Sequence, residues 1–149
     1  MSSGLPGGLR FKLLHVGVAV PEIDPAAQMF AALFGSQVVS GPFDDPIQKV
    51  TVNFLTQAEA PARDAAEIEL IAPLTPDAPI QSMLSKTGGG AYHLCFETND
   101  LDQALGHVRS LKCLIVSAPA PAVAFEGRRI AWFYTPSRLL VELVEGSAG

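Results

Sequence analysis

The chain has 149 residues, of which 48% are apolar and 17% charged, and these proportions are typical of a globular domain rather than of a long disordered segment. Ten Lys and Arg residues stand against 15 Asp and Glu residues, and the net charge of −5 argues against a protein that binds nucleic acid through a broad basic surface. The sequence has no apolar leader and no apolar run of membrane-spanning length, so we expect a cytoplasmic protein without a membrane partner.

A strand followed by a helix is predicted between residues 13 and 35, where the sequence reads LLHVGVAVPEIDPAAQMFAALFG. Because side chains alternate along a strand, every second residue from His15 to Ala19 should lie on one face. Asp24 is expected to cap the helix, and Gly35 is expected to end it. Four apolar residues recur at helical spacing and should form its buried stripe: Ala26, Met29, Phe30 and Leu33.

Three short strands and a hinge are predicted after this helix. The strands cover residues 37–40, 49–55 and 66–72. The segment 73–90 follows as the hinge, with a short helix near 79–85 and a run of three glycines at 88–90.

The same order of elements returns in the second part of the chain, which indicates an internal repeat. The segment 91–112, AYHLCFETNDLDQALGHVRSLK, again places a His at the start of an apolar strand and a helix after an acidic turn. Asn99 or Asp100 should cap this helix. Its apolar stripe should consist of Leu101, Leu105, Val108 and Leu111. Strands are predicted over residues 114–118, 129–135 and 139–144.

Each copy therefore has the order βαβββ, and neither is large enough to bury its sheet face alone. We expect an α+β fold in which the two modules pair to form one curved mixed sheet. The whole chain, residues 1–149, is predicted to be a single domain built from a module at 12–74 and a module at 90–146.

Four polar residues interrupt the apolar strands at corresponding places in the two copies. His15 and His93 lie in the first strand of each copy, and Glu69 and Glu142 lie in the last. Buried carboxylates without a cation cost several kcal/mol each, about the penalty of desolvating one charge. No Lys or Arg lies in the same strand stretches, whereas two imidazoles and two carboxylates suit a divalent metal ion. The sequence therefore predicts one metal site with these four ligands.

These segments resemble the vicinal-oxygen-chelate superfamily, also called the glyoxalase/bleomycin-resistance/dioxygenase fold. The resemblance covers residues 12–146, and the segments HVGVAVPEID, IELIAPLTPDAPIQSML, GGGAYHLCFETNDLDQAL and LLVELVE are most similar to methylmalonyl-CoA epimerases. It implies a cup-shaped pair of modules, a homodimer, a small-molecule substrate and one Co, Ni, Mn or Zn ion on His15, Glu69, His93 and Glu142. It also implies that Glu142 moves a proton to or from the substrate.

The function that this resemblance implies is a metal-dependent, epimerase-like isomerase or lyase that forms a metal-stabilised enolate of an acyl-CoA or related thioester. Two alternatives stay open: a lactoylglutathione lyase of the glyoxalase I type, and a non-catalytic protein that binds a small molecule or antibiotic. Epimerases carry a second proton-transferring Glu where this chain has Ile47. Asp44, Asp45 or Gln48 could replace it, although the two aspartates are equally suited to a turn.

The remaining chemically notable side chains have ordinary structural interpretations as well. Cys95 and Cys113 are expected to be reduced thiols, since they lack the spacing of a metal or disulfide motif. Trp132 is expected to pack in the core, with a substrate-lining role as the alternative. Three cations could contact an anionic substrate but are more typical of a solvated surface: Arg10, Arg128 and Arg129.

Overall fold

The structure is a computed structural model that describes residues 5–57 and 65–146. Its backbone forms two compact units. We call His15–Tyr92 the N-terminal unit, and we call Met1–Leu14 together with His93–Gly149 the C-terminal unit. Two strands cross the boundaries of these units: Phe11–Ala19 at Leu14 and Gly90–Thr98 at Tyr92.

The N-terminal unit follows the predicted order of strand, helix and three strands. Its elements are β1 (Phe11–Ala19), α1 (Ile23–Phe34), β2 (Ser36–Asp45), β3 (Val50–Gln57), β4 (Glu67–Pro73) and α2 (Ile80–Thr87). The strands lie in the order β2-β3-β4-β1, and β1 runs parallel to β4 while the other pairs are antiparallel. Helix α1 covers one sheet face, where Phe30 packs on Leu55 and Leu70.

The C-terminal unit repeats this arrangement. Its elements are β5 (Gly90–Thr98), α3 (Leu101–Ser110), β6 (Leu114–Pro121), a 3-10 turn (Val123–Phe125), β7 (Arg129–Tyr134) and β8 (Leu140–Glu145). The strands lie in the order β5-β8-β7-β6, with β5 parallel to β8. Helix α3 packs its buried face on Phe133, Val141 and Leu143. The two units thus have the predicted βαβββ order, joined by the predicted short helix.

The two helices begin differently, and one predicted cap is wrong. Helix α3 starts at Asp100, whose carboxylate accepts a hydrogen bond from the N–H of Gln103, as the sequence indicated. Helix α1 starts two residues earlier than expected, so Asp24 lies inside its first turn. Its N-cap is Glu22, which makes no side-chain capping bond. Gly35 ends the helix in the left-handed conformation, as predicted.

Parts of the predicted apolar stripes are exposed. On α1, Ala26 and Phe30 pack on the core, whereas Met29 and Leu33 are 61% and 64% exposed. Leu111 lies beyond the end of α3 and is also exposed, because the helix stops at Ser110. Apolar spacing alone therefore predicted wider buried faces than the helices have.

Strand β2 is longer than predicted, since it continues through Pro42 to Asp45. Two register shifts in its pairing with β3 accommodate this segment, and pairing resumes at Phe43. Gly41 has a φ of 96°, and a Cβ there would lie 2.8 Å from the Val52 carbonyl oxygen. Only glycine allows the two backbones to approach this closely.

Candidate metal centre

In the N-terminal unit, His15 and Glu69 form a buried pair on neighbouring parallel strands. The His15 Nε2 atom lies 3.0 Å from Glu69 Oε1, and the two side chains are 1% and 7% exposed. Strand alternation on β1 places His15 on the buried face, as the sequence predicted. The Phe54 ring meets the imidazole edge-on at 5.4 Å between centroids and holds its orientation.

In the C-terminal unit, His93 and Glu142 form the corresponding pair on β5 and β8. The distance from His93 Nε2 to Glu142 Oε1 is 3.5 Å, and both side chains are buried. The ring of Trp132 meets the His93 imidazole edge-on at 4.8 Å between centroids. Each unit therefore contributes one imidazole and one carboxylate from parallel neighbouring strands.

The two pairs occupy the same strand register in their respective units. Glu69 lies across from Phe54 on β3, and Glu142 lies across from Trp132 on β7. Each His is paired in register with the residue two places before its Glu: His15 with Glu67, and His93 with Leu140. The repeat seen in the sequence therefore also holds for the residues that pair across neighbouring strands.

The geometry within each pair fits ligands of one metal ion. Two donors that each bind a metal at about 2.1 Å lie about 3.0 to 3.4 Å apart in octahedral or tetrahedral coordination. The Nε2-to-Oε1 distance of 3.0 Å lies within this range, and that of 3.5 Å lies slightly above it. His and Glu are also donor types that could hold a metal ion, and all four side chains are buried.

Glu67 is a second carboxylate on this face of the N-terminal unit, and the sequence analysis did not select it. It lies two residues before Glu69 on the same strand, so both side chains lie on the same side of the sheet. Burial raises the pKa of Glu67 above its ordinary value, and attraction to His15 partly opposes this rise. The spacing from Glu69 is the sequence signal that could have identified it.

The two aspartates proposed to replace the second epimerase base are engaged at the hairpin between β2 and β3. Asp45 accepts hydrogen bonds from the backbone N–H groups of Ile47 and Gln48. Asp44 accepts a hydrogen bond from the Thr51 hydroxyl. The Ile47 side chain is 60% exposed. These contacts support the turn interpretation of the two aspartates.

Two of the three arginines considered as anion contacts are engaged with carboxylates of the protein. Arg128 donates to the Glu97 carboxylate at 3.0 Å, and Arg129 donates two hydrogen bonds to Glu145. The backbone N–H of Arg10 donates to the side chain of Asn99. Arg128 and Arg129 therefore stabilise the strand ends rather than remaining available for a ligand.

The described part of the C-terminal unit also contains an open cavity of about 380 Å³ at the end of β7. None of the predicted metal ligands lines it. The lining residues are Lys112, Leu114, Tyr134, Thr135, Pro136 and Arg138. Neither Cys95 nor Cys113 forms a disulfide bond, and burial raises the pKa of the Cys113 thiol. Among the described residues, no helix has the length and apolarity needed to cross a membrane.

Comparison with known proteins identifies similar sequences and folds. The profile of the Glyoxalase/Bleomycin resistance protein/Dioxygenase superfamily matches residues 14–132. An ethylmalonyl-CoA/methylmalonyl-CoA epimerase of Cereibacter sphaeroides is 29% identical over 83% of this chain and 87% of its own. The mitochondrial methylmalonyl-CoA epimerase of Homo sapiens is 31% identical over 68% of this chain and 54% of its own.

A solved structure has the same fold over most of the chain. The methylmalonyl-CoA epimerase of Mycobacterium tuberculosis superposes with a TM-score of 0.77 at 28% identity, covering 92% of this chain and 89% of that one. This likeness confirms the predicted fold class of paired βαβββ modules.

Proposed function

Because this chain belongs to the Glyoxalase/Bleomycin resistance protein/Dioxygenase superfamily, we propose that it is a metal-dependent, epimerase-like isomerase of acyl-CoA or related thioesters. The observation that carries the proposal is the pair of register-matched His–Glu pairs, one in each unit. The relatives named as methylmalonyl-CoA epimerases confirm the predicted class of activity, an isomerase of the epimerase kind.

The metal ligands in this proposal are His15, Glu69, His93 and Glu142, which together bind one divalent ion. Two carboxylates carry two negative charges, and neutral imidazoles add none, so a divalent cation balances the buried set. The mixed nitrogen and oxygen donors suit Co, Ni, Mn or Zn. A bound ion of this kind polarises a substrate carbonyl and stabilises the negative charge that develops on its oxygen.

The chain's own residues would move the α-proton. Glu142 takes this role first, because its carboxylate lies at the proposed centre and a carboxylate can act as a general base. Epimerisation needs a second group that delivers a proton to the other face of the planar enolate. Glu67 is the candidate, since its raised pKa brings its protonated form closer to neutral pH. Asp44 and Asp45 are less suited, because Asp45 accepts hydrogen bonds within the turn and Asp44 accepts one from Thr51 on the neighbouring strand.

Exchange of the substrate α-proton with solvent tests this function directly. The metal-loaded protein should incorporate deuterium at the α-carbon of an acyl thioester in D2O, measured by NMR. The Glu142→Gln variant should exchange about 100- to 10,000-fold more slowly, the usual contribution of a positioned base. Glu126→Gln is the matched control in the same unit, since this exposed residue lies at the end of the 3-10 turn.

Absence of exchange with every acyl thioester would contradict the proposal. Binding without exchange would then favour a sequestering protein. Conversion of a glutathione hemithioacetal would favour the lactoylglutathione lyase.

A further inference from the structure

Trp132 carries a buried hydrogen-bond donor that the protein itself does not satisfy. Its backbone N–H donates to the Ser117 hydroxyl. Its indole Nε1 is buried and meets no acceptor among the described residues. Such groups are uncommon in native proteins, because a buried donor without an acceptor costs free energy. The position therefore needs an explanation beyond packing.

The surroundings of this indole place it beside the C-terminal His–Glu pair. Trp132 lies directly across from Glu142 in the β7–β8 pairing, and its ring contacts the His93 imidazole. The cluster against which it also packs consists of Cys95, Ala122, Ile130 and Val144. These side chains offer no strong acceptor for the indole N–H.

A comparison of the two units shows that the indole N–H of Trp132 has no counterpart at the matching position of the N-terminal unit. The residue at the matching register in the N-terminal unit is Phe54, which lies across from Glu69 and contacts His15. Phe54 provides the same edge-on ring contact without a donor. The edge-on contact with an imidazole therefore requires only an aromatic ring, and it does not account for the indole N–H.

We propose that the Trp132 indole N–H is a substrate-binding donor that hydrogen-bonds an oxygen of the acyl group. This inference rests on the proposed function and names the substrate class more closely. The indole group only donates, so it favours an acyl thioester with a carbonyl or carboxylate oxygen near the reacting carbon. Trp132 is thus a residue for binding and specificity, while proton transfer remains with the carboxylates.

The Trp132→Phe variant separates this role from packing. Phenylalanine keeps an aromatic ring beside His93 but removes the N–H. The dissociation constant for the acyl thioester should rise about tenfold, the typical effect of losing one hydrogen bond to a polar ligand, while metal content stays unchanged. Tyr134→Phe is the matched control, because it removes a polar group two residues further along β7 and should leave affinity unchanged. A lower melting temperature with unchanged affinity would indicate a structural role and overturn the inference.

The indole proton can also be observed in the unaltered protein. Trp132 is the chain's single tryptophan, so an amide ¹H–¹⁵N spectrum of the metal-loaded, ¹⁵N-labelled protein contains one indole signal. Saturation with a malonyl-type thioester should move this signal downfield. A propionyl-type thioester, which lacks the free carboxylate, should move it too if the acceptor is the thioester carbonyl, and should leave it in place if the acceptor is the carboxylate.

Two further outcomes distinguish failure of the inference from failure of the proposed function. If backbone amide signals move on saturation with both thioesters and the indole signal does not, the substrate binds without this donor and the inference alone is overturned. If no signal moves with any acyl thioester, the proposed substrate class is wrong and the inference is overturned with it.

Discussion

The two units contain the same His–Glu pair but surround it with different neighbours. In the N-terminal unit, the residue in register with the histidine is Glu67, and the aromatic contact is Phe54. In the C-terminal unit, the corresponding residues are Leu140 and Trp132. The proposed metal ligands are alike in the two units, whereas the residues beside them differ. Under the proposed function, this difference would provide different groups on the two sides of an asymmetric substrate.

The Glu67→Gln variant tests this difference between the two units, and we expect it to have the largest effect of the variants, a loss of epimerisation rate. Glutamine keeps the shape of the side chain but cannot transfer a proton, so conversion between the two epimers should fall about 100- to 10,000-fold. Deuterium exchange from a single epimer should persist, because Glu142 still removes its proton. Metal content should be unchanged.

Separate chiral analysis and deuterium counting of the thioester measure these two rates. If the variant keeps its full metal content and loses epimerisation and deuterium exchange equally, Glu67 does not act on one face of the enolate only. Undiminished epimerisation would remove it from the mechanism. Leu140→Met, at the matching position of the other unit, is the control for disturbance of the strand and should leave both rates close to those of the wild type.

A second difference concerns the helix starts, and its expected effect is intermediate. Asp100→Ala removes the capping hydrogen bond to Gln103 of α3 and should lower the free energy of unfolding by about 1 kcal/mol. Glu22→Ala at the start of α1 removes no such bond and should change it by far less. Urea denaturation of the two variants measures the difference. Equal destabilisation would contradict the assignment of the caps.

The smallest expected effect concerns an exposed ion pair of the N-terminal unit. Contact with Lys49 and Thr75 lowers the pKa of Asp77 from 3.8 to about 2. Because the folded-state pKa is depressed, the pair stabilises the fold above pH 3.8, and this contribution is lost as the pH falls toward about 2. Asp77→Asn should therefore lower the melting temperature slightly at neutral pH, and the difference should shrink in acid and in high salt. A difference that grows in acid would contradict this sign.

The sequence predicted the elements and the proposed ligands because both depend on local patterns. Strand alternation placed His15 on the buried face, and the repeat related Glu69 to Glu142. The end of β2 was not predictable in the same way, since the strand passes Pro42 only through register shifts against a partner strand. The predicted N-cap of α1 was wrong because Asp24 and Glu22 are both acidic, and spacing alone does not determine which one precedes the helix.

Glu67 shows the limit of reading residues one at a time. A glutamate near the beginning of a strand is usually exposed to solvent, so its residue type alone does not indicate a functional role. Its spacing from Glu69, its pairing with His15 and its partial burial indicate a different environment. The exposed Met29 and Leu33 illustrate the same limit on α1, since helical spacing identifies a face but not the width that the sheet covers.

The metal content of the purified chain tests the central claim most directly. Elemental analysis after expression in metal-replete medium should find one Co, Ni, Mn or Zn ion per chain. Because the two pairs are proposed to share that ion, His15→Ala and His93→Ala should each reduce metal affinity by at least about 100-fold. A folded, metal-free protein would contradict the claim. Two ions per chain, or loss of affinity in one variant only, would contradict the sharing of a single ion.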